Sequence, residues 1–310
     1  MMEKWRSPVA ALLAALLLAA CGGGGGGTST NSSVGTPAVT DPGAPASTGN
    51  TATDGYNWFN YRRTQLGLST LTRNNLINTA AQGHSDYQRT NNVVTHEQTQ
   101  GQPGFTGVSL LDRLRAAGYT LSGSYSAGEV ISATSSTSGA YQAEELITAI
   151  YHRFVIFEPI FREIGTGAAT TSGGYTYFTA DFAVVNGYSG LGTGKFVGYP
   201  YDGQTGVPLN FYSDQESPDP VPNQNEVGYP ISVHADGTSS VTVQSFSVAP
   251  RGGSALSTRL LSLAAGTSTT GSAAAIVPLA PLKSGTIYDV SFSGTVGGVA
   301  VSRSWSFTTK

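Results

Sequence analysis

The chain has 310 residues, of which 39% are hydrophobic and only 11% are charged. With 16 basic against 19 acidic side chains, its formal net charge is −3, so it offers no basic surface for nucleic acid and no polybasic patch for a membrane. The 40 glycines and the low charge favour a β-rich exported protein with long loops. Nucleic acid is therefore excluded as a partner.

The first 21 residues have the organisation of a secretory signal. Basic residues precede an apolar stretch from about Pro8 to Ala20, which is too short to span a bilayer as a mature helix. The segment Leu18–Cys21 resembles the cleavage signal of bacterial lipoproteins, which implies that Cys21 becomes the first residue of the mature chain and carries acyl chains such as palmitate. A buried cysteine after an N-terminal helix is the alternative, but six glycines follow Cys21 and do not continue a packed helix.

The predicted lipidation has consequences for the rest of the chain. Cys21 is the only cysteine, so the folded parts contain no disulfide and depend on their hydrophobic cores. Residues 22–54 consist largely of Gly, Ser, Thr, Pro and Ala, which predicts a disordered tether. Gly22 and Gly23 lack the aspartate that resemblance to Gram-negative sorting signals would require for retention at the inner membrane. We therefore expect an exported protein anchored at the outer membrane or the cell surface.

Residues 55–190 are predicted to form an α+β domain. Four helices are indicated by caps and by apolar residues at three- and four-residue spacing, and a strand closes the domain. The predicted elements are a helix from an N-cap at Asp54 to Gly67, one over Leu76–Tyr87, one from the Ser109 capping box to Gly118, one from Ala143 through Arg153 that ends before Pro159, and a strand over Tyr175–Val185.

Residues 196–310 show alternation typical of β-strands and no helical periodicity. The last two predicted strands form a hairpin whose turn is Gly297-Gly298. Short strands separated by turn residues predict an Ig-like β-sandwich. The predicted strands include Ile231–Ala235, Val241–Val243, Phe246–Val248, Tyr288–Phe292, Val299–Val301 and Trp305–Phe307.

An ordered series of short motifs in the first domain resembles the CAP superfamily, which comprises cysteine-rich secretory proteins, antigen 5 and pathogenesis-related proteins. The resemblance extends over about residues 56–185 and is closest to the bacterial SCP-like branch. It is carried by Asn60-x-x-Arg63, Gly67-Leu68, the helix from Leu76 to His84, His96, Arg113 before Gly118-Tyr119, Ala127-Gly128-Glu129, Tyr151-His152-Arg153, Ile164-Gly165-x-Gly167 and the strand over Tyr175–Phe182.

The resemblance implies an α-β-α sandwich with a wide, polar, solvent-filled cavity that holds a divalent cation. By position, His96 matches the first cavity histidine and Glu129 the glutamate of the Gly-Glu-Asn motif, although Val130 replaces its asparagine. The second glutamate of the family falls near Ala149, where this chain has no acid. The bacterial branch carries a His-Arg pair after a helix, which implies His152 as a third cavity residue. Such imidazoles and a carboxylate would suit zinc.

Each candidate also has a simpler interpretation. Without the resemblance, His96 would be interpreted as a solvated loop histidine and Glu129 as a surface carboxylate. His152 would be interpreted as a histidine favourably placed at a helix end. His84 lies on an apolar helix stripe and is interpreted as a packing residue, and His234 as a structural residue between strand positions.

Three functions are compatible with this pattern. The first is a lipid-anchored CAP protein that binds a small or lipidic ligand, with a divalent metal such as zinc as a candidate cofactor, at His96, Glu129 and His152. The second is a metal-assisted hydrolase acting on peptide or cell-wall material, and the third is an adhesive or structural surface lipoprotein. Fold alone does not choose among them, so catalysis stays an open question.

Overall fold

The computed structural model describes residues 41–186 and 190–310. Cys21, the signal segment and most of the predicted tether lie outside the described residues. Within the described ranges, no helix combines the length and the apolar character needed to cross a membrane.

The first half of the described chain folds as helices on both faces of one sheet. Its strands have the order β1-β3-β4-β2, and β4 is antiparallel to both of its neighbours. The elements are α1 (Thr51–Gln65), β1 (Thr72–Arg73), α2 (Asn75–Asn91), α3 (Leu110–Ala116), β2 (Tyr125–Thr134), α4 (Gly139–Thr148), α5 (Ile150–Ile156), β3 (Glu163–Thr170) and β4 (Thr176–Val185).

Alternation along β4 separates the two layers of the domain. Phe178 and Phe182 point toward α1 and α4, where they pack with residues such as Phe59. Thr179 and Ala183 point to the opposite face, which α2 covers. The α+β prediction is confirmed, and the site described below lies on the α2 face of the sheet.

Three local predictions need correction. The first helix begins at Thr51 with Asn50 as its N-cap, because Asp54 instead accepts hydrogen bonds from Ser47 and Thr48. The tether predicted over residues 22–54 is therefore too long, since residues 47–54 are ordered by these bonds. The simpler interpretation of Glu129 as a surface carboxylate is also wrong, because Glu129 is buried within the strand β2.

The fourth predicted helix is two helices. Ala149 has an extended backbone (φ −68°, ψ 116°) and divides α4 from α5. The first backbone N–H groups of α5 donate to the carboxylate of Glu216, which comes from the C-terminal half. The break between α4 and α5 at Ala149 thus depends on Glu216, a residue distant in the sequence.

The C-terminal half forms two four-stranded sheets, with strand orders β10-β13-β14-β6 and β11-β12-β9-β5. This architecture is consistent with the predicted β-sandwich, and Gly297 and Gly298 form the predicted hairpin turn with positive φ of 57° and 80°. The strands are β5 (Val197–Tyr199), β6 (Gln204–Val207), β7 (Asn210–Tyr212), β8 (Glu226–Gly228), β9 (Ile231–His234), β10 (Val241–Pro250), β11 (Thr258–Leu261), β12 (Ala273–Pro278), β13 (Ile287–Val296) and β14 (Val299–Thr309).

The two halves share a buried interface centred on Arg153. Its guanidinium carbon lies 4.9 Å from the ring centroids of both Tyr199 and Tyr229, an arrangement typical of cation–π contact. Its Nε donates to the carbonyl of Ile147 and its Nη1 to that of Pro230. Arg153 therefore connects α5 to Tyr199 in β5 and to the segment Tyr229-Pro230 that precedes β9.

Candidate functional site

A hydrogen-bonded group of three charged or titratable side chains lies on the α2 face of the sheet. Glu129, from the centre of β2, accepts from His96 Nδ1 at 2.8 Å through Oε1 and from Arg113 Nη2 at 2.6 Å through Oε2. All three residues are buried. The structure therefore brings two of the predicted cavity residues together, but as a buried ion-pair network and not as an open, solvated pair.

A strand, a helix and a loop hold the three side chains of this network in position. Glu129 is held by the pairing of β2 with β4, and Arg113 by α3, whose capping box is formed by Ser109 and Asp112 as predicted. His96 belongs to the loop after α2, where Arg113 Nη1 donates to its carbonyl at 3.0 Å. Arg113 thus fixes both the carboxylate and the loop that carries the imidazole.

His84 supports the same loop from α2. Its Nε2 donates to the carbonyl of Thr95 at 2.7 Å, and its Nδ1 accepts from Gln98 Nε2 at 2.9 Å. Burial lowers the pKa of His84 to about 4, so its ring is neutral at pH 7. His84 is a packing residue, as its position on the helix stripe indicated, and it orients the segment around His96.

Asp181 adds a second carboxyl to the network. It lies opposite Glu129 in the β2–β4 register, is fully buried, and receives no hydrogen bond from the described residues on either carboxyl oxygen. Burial and the Glu129 charge raise the pKa of Asp181 well above its ordinary value. The raised pKa favours the protonated form of Asp181, and a protonated carboxyl is itself a hydrogen-bond donor.

Glu129 is the ionised member of this carboxyl pair. Burial raises its pKa, but the charge of Arg113, followed by the effects of His84 and His96, outweighs burial and holds the pKa below its ordinary value. One guanidinium can compensate one carboxylate in this buried setting. The network is therefore neutral when Arg113 and Glu129 are charged and Asp181 is protonated.

The second ring nitrogen of His96 is not used within the network. Because an ionised carboxylate only accepts, Nδ1 carries a proton, and in the neutral form of the ring Nε2 then carries the lone pair. Within the described ranges, Nε2 has no hydrogen-bond partner, and it is not among the fully buried polar atoms, although the whole residue is only 5% exposed. The site thus contains one oriented ring nitrogen that keeps a small contact with solvent.

His152 lies at a different place. Its Nδ1 donates to Glu216 Oε1 at 2.9 Å, and its Nε2 is buried without a partner among the described residues. In the resembling family a glutamate falls near Ala149, where the first half of this chain has no acid; the C-terminal half brings Glu216 to that helix start instead. His152 is hydrogen-bonded to neither His96 nor Glu129 and belongs to the interface between the halves.

The donor set does not fit a shared metal ion. Glu129 is directly hydrogen-bonded to His96, and the Arg113 guanidinium occupies its other oxygen, where a cation would otherwise bind. Among the residues that the structure describes, no group of three or more His, Cys, Asp or Glu side chains is arranged to hold a metal ion.

Sequence reasoning did not identify Asp181 or Glu216. The signal for Asp181 was a lone charged residue in an otherwise apolar strand, at the register position opposite Glu129. Glu216 gave no comparable signal, because its role depends on how the two halves pack.

Comparison with known proteins gives one family match, the cysteine-rich secretory protein family (CAP), over residues 56–182. A search of curated proteins finds no match. An extracellular SCP-domain protein from Bacillus anthracis str. Ames is 22% identical, with a TM-score of 0.37, over 44% of this chain and 40% of that one. An outer surface protein from Borrelia burgdorferi is 13% identical, with a TM-score of 0.38, over 46% of this chain and 97% of that one.

A third similar structure is a cysteine-rich secretory protein from Staphylococcus aureus, which is 16% identical with a TM-score of 0.30. The chain covers 38% of that protein, and thus well under two thirds of both it and the Bacillus protein. The family match supplies the assignment: residues 56–182 of this chain form a CAP domain.

Proposed function

We propose that the protein is an exported, lipid-anchored binding protein whose CAP domain binds a small amphipathic or lipidic ligand through His96. The observation that carries this proposal is a difference among the four histidines, all of which lie in the described ranges. His84 uses both ring nitrogens, and the unpartnered nitrogens of His152 and His234 are fully buried. Only His96 offers a ring nitrogen to a ligand.

The surroundings of His96 favour a ligand with a polar group and an apolar part. Arg113 Nη1 donates to the carbonyls of both His96 and Val108, so these two residues are neighbours in space. The Val108 side chain is 43% exposed, and Val93, in the loop that leads to His96, is 37% exposed. A hydroxyl or N–H group would bind Nε2 while an alkyl chain covers Val108.

A hydrolase is the second candidate, because an imidazole oriented by a carboxylate resembles a general base. Nε2 would accept a proton from an attacking water molecule. The metal-assisted form is disfavoured by the donor set, and no hydroxyl or thiol in the described ranges hydrogen-bonds to Nε2 as a paired nucleophile. Binding therefore ranks above catalysis, and an adhesive role would leave the oriented imidazole without a use.

Export and anchoring rest on the N-terminal segment. The Leu18–Cys21 signal and the following glycines support lipidation of Cys21. The Cys21→Ala variant should not incorporate radiolabelled palmitate in cells, while the parent chain should. Labelling that persists in the variant would remove the proposed anchor.

Ligand binding is tested with a matched pair of probes, monooleoylglycerol and glycerol, on the mature chain carrying Cys21→Ser. Titration calorimetry should detect the monoacylglycerol and not glycerol alone. His96→Ala should weaken binding by about tenfold, the loss of one good hydrogen bond. The exposed neighbour variant Glu97→Ala should bind as the parent does. Equal affinity in the parent and His96→Ala would refute the proposal.

A further inference from the structure

A groove of about 540 Å³ lies on the CAP domain, and its lining includes none of the His96 network. It is bordered by the start of α1, one side of α2, β1 and β3. Its volume falls in the range of about 300–1,000 Å³ typical of small-molecule sites. The lining residues are Asn50, Ala52, Thr53, Arg73, Asn78, Thr79, Gln82, Gly83 and Thr166.

Arg73 supplies the charge of this groove. Its Nε donates to Asn78 Oδ1 at 3.2 Å and its Nη1 to Thr53 Oγ1 at 3.0 Å, so the guanidinium is held in place by neutral groups. No carboxylate in the described part of the chain forms an ion pair with Arg73, and its Nη2 donates to none of the described residues. The guanidinium is therefore fixed but electrostatically uncompensated at short range.

Two amide side chains add donors of known orientation. Asn78 Oδ1 accepts from the backbone N–H of Thr166 at 3.0 Å, and Asn50 Oδ1 accepts from that of Thr53 at 2.8 Å. A backbone N–H can donate only to the oxygen of a side-chain amide, so the orientation of both amides is fixed. The Nδ2 groups of Asn78 and Asn50 are therefore the atoms left to donate to a ligand. Neither Nδ2 donates to another described residue.

We propose that this groove binds an oxyanion, the carboxylate or phosphate group of a small polar molecule such as an acidic or phosphorylated sugar. A guanidinium and two amide NH₂ groups line it, and no acidic residue does. Charge-assisted bonds from arginine to such oxygens are about twice as strong as neutral ones. The groove also borders the start of α1, a helix of 15 residues, whose dipole favours an anion in the same place.

The test uses D-glucuronate, D-glucose 6-phosphate and D-glucose as probes in NMR titrations of the mature Cys21→Ser chain. At least one anion should bind with a dissociation constant in the range of about 1 mM or lower, and neutral glucose should not. The two anions distinguish a carboxylate from a phosphate ligand. Binding should weaken as salt is added, because the guanidinium is partly exposed.

Two variants and two controls locate the site. Arg73→Gln should weaken anion binding about tenfold or more, and Asn78→Asp should do the same by placing a carboxylate beside the ligand while preserving the acceptor for Thr166. Arg89→Gln removes a charge from α2 outside the groove, where Arg89 pairs with Asp86, and should have no effect. His96→Ala should also bind the anion normally.

Three results would overturn the proposal. These are no binding of either anion at about 10 mM, equal binding of glucose, and parent-like affinity in Asn78→Asp. Thermal unfolding checks that both groove variants are folded. If Arg73→Gln does not fold, the anion affinity of Asn78→Asp tests the proposal by itself.

Discussion

Glu129 and Asp181 lie directly opposite each other on β2 and β4, and the buried Arg113 guanidinium donates to Glu129 whereas Asp181 receives no hydrogen bond from the described residues. Ionisation of one buried carboxyl group disfavours ionisation of the carboxyl group opposite it, and Arg113 supplies a hydrogen-bonded cation to Glu129 alone. The pKa of Glu129 is accordingly lowered by Arg113, whereas burial and the Glu129 charge raise the pKa of Asp181. This pair fixes the charge state of Glu129, which in turn fixes the tautomer of His96.

Asp181→Asn should stabilise the protein at neutral pH. The folded pKa of Asp181 lies above its unfolded value near 3.9, so stability falls as pH rises from that value toward the folded pKa. Asparagine keeps an N–H donor for Glu129 and has no proton to lose. The melting temperature of the variant should exceed that of the parent at pH 7, and the difference should shrink as pH approaches 4. A variant less stable than the parent at pH 7 would show that Asp181 is ionised.

Glu129→Gln should destabilise the protein by about 3–5 kcal/mol at pH 7, the typical cost of removing one partner from a buried ion pair. The folded pKa of Glu129 is depressed, so its contribution is complete above the unfolded value near 4.3 and is lost as pH falls through the folded pKa. Urea unfolding of the variant measures the loss. The control Glu97→Gln, at an exposed position, should change stability by less than about 0.5 kcal/mol. A similarly small effect of Glu129→Gln would mean that the pair is not buried.

Glu216→Gln should weaken the contact between the two halves. The carboxylate accepts from the N–H groups of Ile150 and Tyr151 and from His152 Nδ1, so the substitution replaces charge-assisted bonds with neutral ones. The expected loss is about 1.5–3 kcal/mol in unfolding free energy. Glu226→Gln, an exposed glutamate of β8, serves as the matched control. Equal stability of the two variants would contradict the capping role of Glu216.

The fragment 196–310 is predicted from its own strands and hairpin to fold alone, and it stays a prediction. The interface sets an additional expectation, because the fragment lacks the Arg153 guanidinium that lies between Tyr199 and Tyr229. We expect a cooperative thermal transition with a β-type circular dichroism spectrum, at a lower temperature than in the whole chain. A fragment without a transition would show that the C-terminal half depends on the CAP domain.

Local sequence signals predicted much of the fold. The capping box at Ser109, the apolar stripe of α2 and the glycine turn at 297–298 each depend on neighbours within a few residues, and the structure contains all three. The break at Ala149 could not be predicted in this way, because its cap, Glu216, comes from the other half of the chain.

The candidate site was predicted in part. The resemblance paired His96 with Glu129, and the structure joins them. It also implied an open cavity that includes His152, whereas the structure buries Glu129 under Arg113 and bonds His152 to Glu216. Burial and ion pairing are properties of the packed chain, and the spacing of residues in the sequence does not encode them.

Among the four histidines, His96 alone has a ring nitrogen that is neither hydrogen-bonded within the described residues nor fully buried. Diethyl pyrocarbonate acylates unprotonated, accessible imidazole nitrogens, so brief treatment of the folded mature chain at pH 7 followed by peptide mass spectrometry measures this directly. We expect rapid modification of His96 and slow modification of His84, His152 and His234, with all four reacting after unfolding. Monooleoylglycerol should protect His96. A folded chain in which His96 does not react, or reacts no faster than the other three, would contradict the account.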